Sequence, residues 1–143
     1  MLPVVVRVRI SRPTLDKKHE SLYTIDMRIL FCGDRLWEEE ELIRLVLEGY
    51  DPETTIIVHG NAPGADRIAA RLAYNMGFKV EPHSAKWERY GKAAGPIRNK
   101  EMLDSGIDFV EAFHNNIENS RGTKDMVKIA LKADIPVAIH HSW

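Results

Sequence analysis

The chain predicts an open, doubly wound α/β sheet of about five parallel strands with helices on both faces. From Met27 onward, short apolar runs alternate with segments of helical periodicity, the signature of a parallel α/β sheet. The runs have strand length: "MRILFCG" (27–33), "TIIVHG" (55–60), "FKVEPH" (78–83), "DFVEAFH" (108–114) and "PVAIH" (136–140). At 143 residues the chain can bury one real core and is too short for two ordinary domains.

Between the strands the periodicity predicts helices over 36–49, 65–76, 95–105 and 123–133, each ending near a glycine, serine or aspartate. The last places Met126, Val127, Ala130 and Leu131 on one face, suited to the sheet, and Lys124, Asp125, Lys128 and Lys132 on the other. Four acids, Glu38 to Glu41, open the first helix, where they suit its positive end and read as a solvated face.

Residues 1–26 fall outside this rhythm and read as an extension to a domain over 27–143. "VVVRVRIS" alternates Val4, Val6, Val8 and Ile10 against Val5, Arg7 and Arg9, and a polar linker, "SRPTLDKKHES", follows. Two readings stand open: an edge strand, lying at the sheet's margin or pairing with another copy, and a disordered leader before Met27.

Composition narrows the function classes. Lysine and arginine total 20 against 21 acids, so no overall basic field draws the chain to nucleic acid. The single cysteine, Cys32, excludes an intrachain disulfide framework, and the six histidines have no metal-finger spacing. No apolar run approaches the roughly 18 residues of a membrane span. The start "MLPVVVRVRI" lacks the pattern of a secretory signal, so a cytoplasmic protein without membrane contact is expected.

Ligands of open α/β sheets bind beyond the carboxyl ends of the strands, so the turns there carry the functional reading. After the first strand, Gly33 permits close backbone approach and Arg35 offers a planar fork; Trp37 reads as core, with base stacking as the alternative. After the second, Gly60, Ala62 and Gly64 form a turn into a helix whose Asp66 either caps it or accepts from a ribose. His59 reads as structural, with general-base catalysis as the alternative. The connection "SAKWERYGKAAGPIRNKEM" combines Trp87, Tyr90, Lys92, Arg98 and Asn99 with the small residues Ala93, Ala94 and Gly95. Gly95 and Pro96 are expected to begin a helix that directs Arg98 and Asn99 to the ligand region. In "ENSRGTKDM", Gly122 and Thr123 open a helix as an anion site, with Thr123 as a plain N-cap the alternative.

"GDRLW", "VHGNAPGAD", "WERYGKAAGPIRNKEM" and "SRGTKDMVKIA", in that order, resemble the YspA/YpsA-related branch of the SLOG superfamily over nearly all of 27–143. Its wider relatives include DprA/Smf DNA-processing proteins, molybdenum-cofactor carriers and Lonely Guy phosphoribohydrolases. The resemblance implies a Rossmann-like fold, nucleotide or nucleotide-derived ligands at the strand ends, a bacterial or phage conflict setting, and a tendency to homo-oligomers. Lonely Guy enzymes pair an arginine, with methionine four residues later, with a glutamate three residues after the threonine of a glycine-rich turn. Arg98 and Met102 match the first element, while Met126 stands where the glutamate would be. A thioether neither carries a proton at neutral pH nor stabilises a ribosyl cation by charge. Asp125 is one position early and is expected to point about 100 degrees away.

Three functions follow in order. The first is binding of a nucleotide-type ligand, an ADP-ribose-like signal among the options, with phosphate on the Gly122 and Thr123 amides and Arg35 or Arg98 completing the charge. The second is a nucleotide hydrolase acting on an N-glycosidic or phosphate bond, with Arg98, Asp66, His59 or Asp125 as catalytic candidates. The third, DprA-like nucleic-acid handling, draws on Arg7, Arg9, Lys17, Lys18, Lys86, Arg89, Lys92 and Arg98. No cofactor beyond a nucleotide-type ligand is expected, and no metal.

Overall fold

In the computed structural model, which describes residues 9–15 and 21–143, strand β2 (Ser21–Gly33) lies at the centre of the sheet. Ile29 and Phe31 face one side and Leu30 and Cys32 the other, all buried. A strand apolar on both parities must be covered on both faces, as in parallel sheets. β3 (Thr55–His59) and β4 (Lys79–Pro82) extend the sheet one way, β5 (Phe109–Phe113) and β6 (Val137–His140) the other. The order is β4-β3-β2-β5-β6, with every one of these pairings parallel.

Helices α1 (Glu40–Glu48) and α2 (Ala65–Asn75) cover the Ile29/Phe31 face through Ile43, Leu47, Ala69 and Leu72. After the one-turn helix α3 (Trp87–Tyr90), α4 (Ala94–Asp104) and α5 (Gly122–Lys132) cover the other face through Met102, Val127 and Ala130. The chain winds outward from β2 in both directions, so the connections diverge between β2 and β5 and leave a crevice at their carboxyl ends. Among the described residues no helix is long and apolar enough to cross a membrane.

The Rossmann-like α/β fold is as expected; several boundaries differ. The central strand begins at Ser21, not Met27, because its first half pairs antiparallel with β1 (Arg9–Leu15), Arg9 opposite Asp26 and Leu15 opposite Ser21. Residues 11–15 of the expected linker are therefore strand. Val4, Val6, Val8, Arg7, Lys17 and Lys18 lie outside the described residues. Helix α1 starts at Glu40 because the preceding segment is a turn: Asp34 Oδ1 accepts from Leu36 N–H at 3.0 Å, and Trp37 donates Nε1–H to Glu39 O at 2.7 Å. Trp37 is core, 5% exposed and edge-on to Phe113. The long connection is itself folded, as α3 and a 3-10 turn (Gly91–Ala93) that runs into α4. Pro96 sits inside the first turn of α4, where its missing N–H costs nothing.

One polar network ties the sheet beneath α4. Arg28 of β2 reaches past β3 to Glu81 of β4 with a two-pronged ion pair, and donates Nε–H to Gly106 O at 2.8 Å. The Arg28 bonds to that carboxylate, with another from His83 Nε2 at 2.8 Å, hold the Glu81 carboxyl down to about 2. A depressed carboxylate stabilises the fold above its unfolded range near 4.5 and loses that contribution as pH falls toward 2. Glu81→Gln is expected to flatten the acid limb of the urea midpoint over that window. The side chain is 38% exposed, so solvent screens the pair and the cost near neutrality is about 1 kcal/mol or less.

Candidate ligand cavity

β3 ends in His59, and the chain turns into α2 within a few residues. Asp66, buried in the first turn of α2, fixes that turn: Oδ2 accepts from Gly60 N–H at 2.9 Å and, more weakly, from Ala62 N–H at 3.4 Å. Gly64 has φ +78, and a Cβ there would lie 2.2 Å from Asp34 O. Only glycine lets the turn after β3 press against the turn after β2. Gly60 makes room for a side chain, since a Cβ on it would stand 2.6 Å from Arg98 Nη1. Arg98 of α4 donates Nη1–H to Gly60 O and Nε–H to Asn99 Oδ1 at 3.0 Å. Asn99 in turn donates Nδ2–H to Asp125 Oδ2 at 2.9 Å and to Gly122 O at 3.2 Å. The turn after β3, the start of α4 and the start of α5 thus form one hydrogen-bonded unit.

Burial sets the charges of this unit. It pushes the Asp66 carboxyl up to about 6, against the opposing pull of Arg98 and of the Gly60 and Ala62 amides. It also pushes His59 down to about 4, with His83 and Arg98 adding to the effect. His59 is therefore neutral near pH 7, and its Nδ1 accepts from Asn61 N–H at 3.0 Å. Burial lowers Arg98 while Asp66 opposes that shift, and burial raises the Cys32 thiol well above its ordinary range. Cys32 is accordingly a neutral thiol, without the thiolate character of a nucleophile.

Above these residues, where β2 and β5 diverge, opens a cavity of about 640 Å³. Its apolar wall includes Cys32, Met102 and Met126, all part of the core beneath α4 and α5. At the mouth, exposed Arg35 lies 5.8 Å from the ring centroid of Trp87, which is 48% exposed. Arg98, Lys92 and Arg121 also line the cavity, against the acids Asp34, Asp66 and Asp125. The N-terminal turn of α5 contributes Ser120 to Thr123. Ser120 Oγ accepts from Thr123 N–H at 3.1 Å, so one of the two amides expected to meet a phosphate already has a partner. What remains toward a ligand there is the Ser120 and Thr123 hydroxyls and the start of the helix at Gly122, with its positive end. Among the described residues no cluster of three or more histidine, cysteine or acidic side chains could hold a metal ion.

A family model described as "YspA, cpYpsA-related SLOG family" matches residues 27–90. The Gene 61 protein of Mycobacterium phage D29 is 41% identical over 118 residues, covering 77% of this chain and 93% of that protein. The chain belongs to the YspA, cpYpsA-related SLOG family. Membership points to binding or processing of a nucleotide-related ligand. Among solved structures, DNA processing protein A (DprA) from Streptococcus pneumoniae superposes with a TM-score of 0.65 at 16% identity, covering 80% of this chain. The match takes in 50% of that protein, so this SLOG chain spans about half its length, and a likeness at that identity carries the fold alone.

Of the residues singled out in the sequence, Gly33, Arg35, Ala62, Asp66, Trp87, Arg98, Asn99, Gly122 and Thr123 line the cavity. Gly60 and Gly64 shape it from behind, through Arg98 and the turn after β2. Tyr90 stands outside its lining, its ring 5.2 Å from Arg89 Cζ, and His59 does too. The structure corrects the expectation for Asp125: it lines the cavity together with Met126, because Asn99 reaches across to its carboxylate. Asp34 and His114 line the cavity although neither was singled out. Their signal was positional, since each directly follows a strand, but a lone acid or histidine there reads equally well as a capping group.

Proposed function

We propose that the cavity binds a phosphorylated nucleotide-derived ligand. The observation that carries this reading is the juxtaposition, in one 640 Å³ cavity, of a planar cation-aromatic pair, a buried arginine and a helix start. The base stacks at the mouth on Trp87 and Arg35, where its apolar face is covered and its edge stays in solvent. The phosphate lies toward Arg98 and the Ser120 to Thr123 turn, where charge-assisted donors and the helix end favour an anion. Family membership supports a nucleotide-type ligand independently of this geometry.

Calorimetric titration of adenosine, AMP, ADP and ADP-ribose tests the reading. The phosphorylated members are expected to bind about tenfold or more tightly than adenosine, and Trp87→Ala to weaken them by about tenfold, the scale of one base-aromatic stack. Equal affinity for adenosine and ADP would remove the phosphate subsite, and no binding across the panel would remove the reading. Cleavage of the same ligand is a second reading, favoured by the Asp125 carboxylate that Asn99 holds at the cavity wall near Arg98. It requires release of free base or phosphate from the panel, lost in Asp125→Asn.

A further inference from the structure

Asp34 and His114 stand side by side at the switch point. They directly follow the neighbouring strands β2 and β5, and Asp34 N–H donates to Phe113 O at 2.8 Å, which holds them in register. Both line the cavity. Asn116 N–H donates to His114 Nδ1 at 2.9 Å. A ring nitrogen that accepts a hydrogen bond carries no proton, so the ring proton is on Nε2. On the aspartate, Oδ1 accepts from Leu36 N–H at 3.0 Å. The atoms left to face one another are His114 Nε2 and Asp34 Oδ2, 3.9 Å apart and too distant to bond directly.

The cavity wall therefore presents one donor and one acceptor, each anchored through its other heteroatom. A group filling the gap must accept from Nε2–H and donate to a carboxylate oxygen. A hydroxyl does both, and its oxygen can lie about 2.8 Å from each atom. An ionised phosphate oxygen cannot donate, and the carboxylate repels it. Asp66, which the sequence offers as a ribose acceptor, has its Oδ2 taken by the Gly60 and Ala62 amides.

We propose that the Asp34–His114 pair is the sugar-hydroxyl subsite of this cavity and selects ribose over deoxyribose. The inference rests on the nucleotide reading above and names which part of the nucleotide this wall receives. Its test is calorimetric titration of the unmodified chain with ADP, 2′-deoxy-ADP and 3′-deoxy-ADP. At least one deoxy analogue binds about tenfold or more weakly than ADP, because the half-buried His114 and Asp34, once the nucleotide covers them, are left with a donor and an acceptor that lack their partner. Whichever analogue is weakened identifies the hydroxyl.

Two variants then locate the effect. Asp34→Asn keeps an acceptor for Leu36 N–H while turning the other atom into a donor. His114→Asn keeps an acceptor for Asn116 N–H while losing the Nε2–H. With folding checked by circular dichroism, each is expected to shrink the discrimination to within about twofold, as partner loss in a shared hydrogen bond requires. Equal binding of all three nucleotides to the unmodified chain, or discrimination undiminished in both variants, overturns the subsite while leaving the nucleotide reading intact. Failure of ADP and the wider phosphorylated panel to bind overturns both.

Discussion

Arg98→Ala is expected to abolish nucleotide binding, by about 100-fold or more, and to destabilise the chain by about 3–5 kcal/mol, the cost of breaking a buried charged network by removing one member. Arg98 is 8% exposed. Its loss leaves Gly60 O and Asn99 Oδ1 without their donor, and the buried Asp66 without the cation that opposes its desolvation. The hole falls at the junction of three turns, so the proposed binding surface loses its shape as well as its charge. Arg98→Lys separates the two effects. An ammonium keeps the charge, but its flexible stem cannot reproduce the planar fork that serves Gly60 and Asn99 together. Partial stability with binding still reduced about tenfold or more is the expected pattern for a phosphate-facing arginine. Urea unfolding and calorimetry on both variants check it. Full binding in Arg98→Lys, or a stability loss in Arg98→Ala with affinity retained, would make Arg98 a scaffold residue only.

The same network separates what was legible in the sequence from what was not. Strand cores and helix faces follow from local periodicity, so β3, β5, α2 and α5 fall within a residue or so of their expected limits. Convergence of the four turns follows from topology alone, since every β-α turn of a parallel sheet lies on one side. Contacts made across sequence were silent. One local contact differs as well: Ser120 Oγ accepts from Thr123 N–H in the first turn of α5, where the sequence reading has Thr123 itself as the capping residue. Asp125 was placed by a rotation about an ideal helix, a rule that omits the reach of Asn99 from a different helix. Glu111, a charged residue inside an apolar strand, is buried against the Tyr50 hydroxyl at 3.1 Å and His140 Nε2 at 3.0 Å, partners 61 and 29 residues away. α3 escaped because one helical turn is too short to show a period. The pairing of Arg35 with Trp87, on which the proposed base subsite depends, likewise joins two exposed residues from separate turns.

The pH dependence of stability between about 4 and 6.5 is expected to be nearly flat in the unmodified chain as far as His59 and Asp66 are concerned, and steep in Asp66→Asn. The reason is that these two buried groups titrate in opposite senses over one window. The raised Asp66 stabilises the fold below its unfolded range near 3.8 and loses that contribution as pH rises through about 6. The lowered His59 stabilises it above its unfolded range near 6.5 and loses that contribution as pH falls toward about 4. Each spans about two pKa units, or about 3 kcal/mol, so the two largely cancel. The amide introduced by Asp66→Asn would keep an acceptor for the Gly60 N–H and cannot ionise, which leaves the His59 slope exposed. The urea midpoint of Asp66→Asn should then fall as pH drops from 6.5 to 4, while above pH 6 the variant should equal or exceed the unmodified chain. Binding supplies a second readout that a purely structural role for Asp66 would not move. Protonating Asp66 removes a negative charge beside Arg98 in the cavity, so affinity for ADP should rise as pH falls from 7 to 5 in the unmodified chain, and that rise should be lost in Asp66→Asn. Parallel pH profiles of the two proteins, in stability and in affinity alike, would show that Asp66 is ionised throughout this range and leave the turn after β3 held by geometry alone.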